Sequence, residues 1–271
     1  MPQLGWFLWI LVTLAFYAAV SLALDLTCRS MFASRLIEAQ QRRPAKVPGW
    51  KVAGLFVINT VQVAMAMSLA AHLHARGRGG LYDLEVSSWT EVLLIGVQSL
   101  LILMIFDANF FWVHRLAHKH KRLFALFHAE HHRPRFPNVW HLQYQHPVDY
   151  FMTTSAPMLW VTLLPIPLST HSYLAAMVMA SFLNIAGHCG YEVSNTIIGL
   201  PTLNGWAAYV DPRRRWISRL FNNVVHHDLH HQKLACNYSL YFTHWDRLCG
   251  TCHPAGDDVD RYVLPSPPAR S

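Results

Sequence analysis

Apolar positions in this chain do not recur every second or third residue; they run on in blocks. Residues 4–24 carry no charge until Asp25, and residues 52–71 form a second block without Asp, Glu, Lys or Arg. A third block, residues 92–113, is interrupted only by Asp107. A fourth and a fifth, 151–169 and 172–186, are joined around Pro165, Pro167 and His171. A nearly uncharged run of roughly 18 or more residues is long enough to cross a bilayer as a helix. The pattern therefore predicts an all-α, polytopic integral membrane protein with four to five membrane helices, the last two forming a shallow hairpin that need not cross fully. A soluble helical bundle is the alternative, since buried helices and membrane spans differ little by pattern alone.

Charge sorts the blocks by side. Arg29, Arg35, Arg42, Arg43, Lys46 and Lys51 fall between the first two. Arg115, Lys119, Lys121, Arg122, Arg133 and Arg135 follow the third, and Arg213, Arg214, Arg215, Arg219, Lys233, Arg247, Arg261 and Arg270 lie after the fifth. Of the 22 basic residues only Arg76 and Arg78 lie elsewhere. An up-and-down path puts these three segments on one side, which the excess of Lys and Arg marks as cytoplasmic. The N-terminus then faces the lumen or periplasm. No Lys or Arg precedes the first block, so it reads as a retained anchor and not as a cleaved leader.

Composition narrows the class. With 271 residues the chain holds one domain or two, read here as anchor helices over 1–91 and a catalytic domain over 92–271. A 53% apolar fraction excludes disorder, and five cysteines exclude a disulfide scaffold. The net charge of +7 is accounted for by sidedness, so no nucleic-acid partner is expected. The unusual count is histidine, at 18 against 15 for Asp plus Glu.

Those histidines are grouped. His114 and His118 stand four apart on the continuation of the third block. His128, His131 and His132 form an HxxHH group; His227, His230 and His231 form a second, preceded by His226; His188 follows the fifth block. Imidazoles at offsets of three and four converge on one point, as a metal ion requires. Nine such ligands exceed the capacity of one ion, so two metals are implied. Imidazole suits iron, zinc or copper. No cysteine shares the clusters, no HExxH supplies a zinc-protease glutamate, and carboxylates are nearly absent.

Asp107 to His118, His128-Ala129-Glu130-His131-His132, His146-Pro147 with Asp149, the segment Asn184 to Glu192, and His226 to His231 followed by Asn237-Tyr238 and Trp245-Asp246-Arg247 together resemble the fatty acid hydroxylase/sterol desaturase superfamily of membrane di-iron enzymes. The doubled HHxxHH and the run at 241–247 look most like the sterol C-5 desaturase (lathosterol oxidase) branch. Three positions depart from the pattern: Ser239 for glycine, Cys249 for an aromatic residue, and Asn184 where some relatives carry a second histidine ligand. The last leaves one metal with one ligand fewer.

The resemblance implies two iron ions held by the nine histidines in a cytoplasmic histidine-rich cap, and oxygen-dependent hydroxylation or desaturation of a lipid drawn from the bilayer, a sterol first of all. A fatty-acyl, sphingolipid or carotenoid hydroxylase is the alternative, and a metal-handling membrane protein a distant one. Asp107, His146 and His226 are further candidates for catalytic roles. For His141, His146 and His226 a hydrogen-bonding part beside the ligands is the plainer reading, since metal-bound histidines need outer partners. Asp107, inside a membrane helix, is a functional candidate by default, with simple helix packing as the alternative. Glu130 and Asp228 could bond ligand N–H groups or face solvent. No GxGxxG fingerprint is present, so electrons must come from an external donor such as cytochrome b5 or a ferredoxin. Arg213-Arg214-Arg215 could attract such a donor or anionic lipid, although a solvated basic face explains it equally. The C-x-x-C-H run at 249–253 sits on the wrong side for haem attachment, and the sequon at Asn237 on the wrong side for glycosylation. The expected location is the endoplasmic reticulum of a eukaryote or the inner membrane of a bacterium.

Overall fold

A computed structural model of the chain describes residues 3–31, 36–37, 47–192 and 220–257. It is mostly helical. Three helices are long and apolar enough to cross a membrane: α1 (Gln3–Met31), α2 (Gly49–Ala75) and α3 (Trp89–Lys119). They carry the first three apolar blocks. The remaining blocks fold differently. The fourth is a succession of short pieces, a π-turn at Phe151–Ser155, an α-turn at Ala156–Trp160 and a 3-10 turn at Val161–Leu163. Pro157 lies at the start of one of these pieces and Pro165 and Pro167 follow the last; each removes an amide donor that a continuous helix would need. The fifth becomes α4 (Thr170–Gly187), 18 residues long. Among the described residues the helices that could span thus number three, against the four to five expected.

The helices are built inside out relative to a soluble bundle. On α1 the buried stripe is Thr13, Tyr17, Ser21, Leu24 and Cys28, spaced by three or four residues as one helical face. Buried polar residues join helices to loops: Asn59 Nδ2 donates to the carbonyls of Gln143 and Gln145, and Thr60 Oγ1 to Gln143 Oε1 at 2.6 Å. Outward positions are large and apolar, with Leu93 70% and Val97 66% exposed on α3. Such an apolar exterior suits hydrocarbon, not water.

A short parallel ladder sets the direction of two helices. β1 (Leu81–Tyr82) pairs with β2 (Leu168–Ser169) in register Leu81↔Leu168 and Tyr82↔Ser169. Gly79 and Gly80 lie so close to the 162–166 backbone that a Cβ at either would fall within 2.5 Å of a carbonyl oxygen. Each strand leads into a helix. Ser88 and Glu91 form a capping box at the start of α3, and Ser169 Oγ accepts the Ser172 amide at the start of α4. Gln98 Oε1 on α3 accepts from the Ser169 amide and the Ser172 hydroxyl. The two helices therefore run parallel, and their C-terminal ends carry His114 and His118 on one and His188 on the other.

Farther along α3, Asp107 is fully buried. Its Oδ1 accepts the backbone N–H groups of Leu240 and Tyr241 at 2.9 and 2.7 Å. This carboxylate holds the loop that follows the second HxxHH group. Asp107→Ala should strand two buried donors at about 1–3 kcal/mol each, measured as a lower unfolding midpoint of the detergent-solubilised protein. Asp107→Asn keeps an acceptor oxygen and should recover most of the loss.

Candidate metal centre

The nine predicted histidines come together as two groups. His114, His118, His128, His132 and His230 form one; His131, His188, His227 and His231 form the other. Within each, the potential ligand atoms all lie within 4.8 Å of one another. Nine ligands, too many for one ion, are thus gathered at two points. Each HxxHH is divided: His128 and His132, four apart, serve one group while His131 crosses to the other, and His227 and His231 serve the second while His230 crosses back.

Local structure explains the division. The second HxxHH lies on α5 (Val224–Lys233), opened by Asn223 Oδ1 on the His226 amide at 2.7 Å and closed by Leu234 in the left-handed region at φ 62°. On a helix, residues four apart share a face and the residue three along looks to one side of it. The first HxxHH is not on an α-helix. His128 ends a π-turn at Phe124–His128, and His131 and His132 follow in a turn. Such π-turns are frequent at functional sites.

The donor set fits metal ions. In the first group His132 Nε2 lies 3.1 Å from His118 Nε2 and 2.9 Å from His128 Nε2. In the second, His227 Nε2 lies 3.1 Å from His188 Nε2 and 3.2 Å from His231 Nε2. Ring nitrogens bound about 2.1 Å from one ion are roughly 3.0–3.5 Å apart, close to this spacing. Among the described residues, buried His114 Nε2 and His230 Nε2 have no hydrogen-bond partner, although buried polar atoms nearly always find one. Their opposite nitrogens are engaged: His114 Nδ1 donates to the Tyr238 carbonyl at 2.8 Å and His230 Nδ1 to that of Cys236 at 2.7 Å. His188 Nδ1 donates to the Asn184 carbonyl, and His128 Nδ1 to Asp149 Oδ2, both at 2.8 Å. An Nδ1–H so held leaves the Nε2 lone pair free for a metal. Burial, reinforced by neighbouring imidazoles, holds His131, His132, His227 and His231 well below the usual imidazole range. Burial also pushes His188 down to about 4 and His230 to about 3. These rings are neutral, as ligands must be.

The other candidates stand outside both groups. Asp107 clamps backbone. His146 is half-buried and accepts the Val148 amide at the start of the short helix Pro147–Tyr150. His226 Nε2 lies 3.5 Å from Asp246 Oδ2, and His141 accepts the Asn138 amide. Glu130 pairs with Lys51 of α2 at 2.8 Å and accepts from the Tyr144 hydroxyl; Asp228 accepts from Gln232. Asp246 is a further anchor. Its two oxygens accept the amides of Tyr238 and Ser239 at 2.8 Å. Burial works to raise its carboxyl, but His226, Thr251 and the Ser239 amide outweigh that and bring it down to about 2. The sequon asparagine Asn237 is buried and bonded at both amide atoms, to the His226 carbonyl and the His253 amide. Arg213, Arg214 and Arg215 lie outside the described residues.

A cavity of about 450 Å³ reaches the second group. Val92, Ile95 and Leu103 of α3 and Met179 of α4 line it, and His188 and His227 close one end.

The fatty acid hydroxylase family profile matches residues 99–251, over half the chain and spanning every histidine of the two groups. The chain belongs to the fatty acid hydroxylase family. Similar family members include human cholesterol 25-hydroxylase, 34% identical over 61% of this chain and 54% of its own. The Delta(7)-sterol 5(6)-desaturase of Gibberella zeae is 27% identical over 68% of this chain and 50% of its own. The sphingolipid C4-hydroxylase of Schizosaccharomyces pombe is 29% identical over 54% and 44%. The sterol desaturase branch suggested by the 241–247 run is thus among the relatives, beside sterol and sphingolipid hydroxylases. The chain spans about half the length of the curated relatives it matches. No solved structure matches.

Asp149 was not read from the sequence as a partner of His128, although a carboxylate two residues past His-Pro in so acid-poor a chain was a usable signal. The carbonyls of Tyr238 and Cys236 had none, because backbone acceptors leave no mark in composition. Asp149→Asn should weaken metal binding about 10–100-fold, measured by metal content after graded chelation, with the unfolding midpoint of the metal-free protein little changed.

Proposed function

We propose that the chain is a membrane di-iron oxidoreductase that uses molecular oxygen to hydroxylate or desaturate a lipid, with a sterol as the foremost substrate class. The observation that carries this reading is the apolar cavity ending on His188 and His227, beside two groups of imidazoles that are buried except for half-buried His118. Iron is the metal that family membership favours within what an all-imidazole donor set accepts. The chemistry it would supply is activation of oxygen for attack on an unactivated C–H bond. His114, His118, His128, His132 and His230 would hold one ion, and His131, His188, His227 and His231 the other. Asp149 and the carbonyls of Tyr238, Cys236 and Asn184 fix the tautomer and aim of the rings they touch. The cavity wall excludes water and lays the lipid along α3 and α4, so that its target carbon meets the histidine end.

In this reading the histidine-rich cap is cytoplasmic, where the basic segments gather. The helix α4 and the broken segment before it sit in the membrane with α1, α2 and α3. Electrons reach the site from a docked cytochrome b5 or ferredoxin-type donor. A desaturase of the C-5 type is supported by the Tyr-Phe-Thr-His-Trp-Asp-Arg run at 241–247.

Purified protein should bind two iron ions per chain, one for each histidine group. His131→Ala and His230→Ala should each abolish oxygen-dependent product. Lipid profiling of a host with and without the chain should reveal a lipid that has gained one oxygen atom or lost two hydrogens. Full iron loading without any lipid change in the presence of a donor would sink the enzyme reading.

A further inference from the structure

The cavity beside the second histidine group is closed at one end and open at the other. Toward the histidines its wall is buried and partly polar, with Asn223 and Tyr241 beside His188 and His227. The far end belongs to the first turns of α3, where Val92, Gly96 and Leu100 follow at four-residue spacing on one face. Val92 and Leu100 are each 43% exposed, and Gly96 is exposed between them. The cavity therefore breaks through the outer surface of a helix that is apolar and long enough to cross a membrane. Helix register gives the distance between the two ends. Ser99 Oγ of α3 donates to the Ser172 carbonyl of α4. Gly96 lies three residues below that contact and His188 sixteen above it, so they stand about 28 Å apart along the parallel axes at 1.5 Å per residue. That is close to the hydrocarbon thickness of a bilayer, about 30 Å. Packing does not demand the glycine. A Cβ at Gly96 would meet no atom within 4 Å, and glycine inside a helix is less favourable than alanine. What the missing side chain does is keep the mouth of the cavity wide.

Resting on the lipid-oxidising reading, we infer that Gly96 is a specificity-determining residue, the gate of a mouth through which a long lipid is taken end-on from the hydrocarbon. One end of the lipid reaches the histidines while its trailing end lies at Gly96 and Leu100. The substrate class is then a lipid long enough to bridge most of the cavity, whether a fused ring system with a tail or an extended chain. Attack falls on a carbon near the leading end, because the closed inner end leaves no room for a lipid to pass through to its middle. Gly96 touches the trailing part of the substrate and neither metal group.

The test uses the full-length, iron-loaded protein in lipid nanodiscs and two probe pairs that differ in length: cholestanol with 5α-androstan-3β-ol, and sphinganine with its ten-carbon analogue. Gly96→Ala, Gly96→Leu and Gly96→Trp, each verified for iron content and unfolding midpoint, narrow the mouth by steps. In at least one pair the longer lipid should bind more weakly as the side chain grows, by about 10-fold or more at Trp, the cost of overfilling a packed space. The shorter lipid should keep its affinity throughout. Equal losses for both members, or no loss for either, overturn the inference, as does failure of all four probes to bind the wild-type protein. Should the Trp variant not fold, the step from Ala to Leu still decides. In the wild-type protein a diazirine at one end of the longer lipid should label residues 184–188 or 220–227, and a diazirine at its midpoint should not; midpoint labelling there overturns the inference. Product from the longer lipid that is undiminished in Gly96→Trp removes this inference and leaves the proposed function standing. Length dependence and end labelling without product do the reverse.

Discussion

Four consecutive backbone amides, from residue 238 to residue 241, are held by two buried carboxylates. Asp246 takes Tyr238 and Ser239, and Asp107 takes Leu240 and Tyr241. Much of the site depends on this clamp. The Tyr238 carbonyl aims His114, and the Ser239 and Leu240 carbonyls orient Asn222. Leu240 and Tyr241 themselves form cavity wall. A buried carboxylate needs hydrogen-bond donors, and here both oxygens of Asp246 and one of Asp107 take them from a loop that has no regular structure of its own. One carboxylate comes from a membrane helix and the other from α6 (His244–Leu248). The clamp therefore ties the loop after the second HxxHH group to the long apolar helix α3.

The division of each HxxHH motif between two groups makes the groups interdependent. His131 and His132 are adjacent in sequence, as are His230 and His231, yet the members of each pair belong to different groups. A shift of either backbone segment must disturb both. Imidazoles crowded at 2.9–3.2 Å between ring nitrogens gain little from one another. Cations lying among them would make the arrangement favourable, and would link metal binding to folding of the histidine-rich region.

Much was legible in the chain. Uninterrupted apolar length gave α1, α2 and α3, because crossing a bilayer demands length and leaves no room for charge. The nine histidines were legible by grouping, because ligand convergence demands short offsets. Their sorting was not. Which imidazole joins which group depends on a π-turn at His128 and on the packing of α5, and neither has a spacing signature. The fourth apolar block misled because hydropathy ignores the missing amides of Pro157, Pro165 and Pro167. Asp107 was singled out for its place in a helix, but its partners lie more than 130 residues away in sequence, and its acceptors' target is main chain.

The parallel ladder of β1 and β2 decides which helix ends face the metal centre. Because α3 and α4 set out together from that ladder, both present their C-termini to the histidines. Peptide dipoles aligned along a helix leave a partial negative charge at that end. Two such ends beside the same centre favour cations by about 0.3–1 kcal/mol each at exposed ends, and more where water is excluded. Since the candidate ligands are imidazoles, the macrodipoles of two co-directed helices supply negative potential of the kind carboxylates provide in carboxylate-rich di-metal bundles. Reversing either strand would present a positive helix end to the histidine groups in its place.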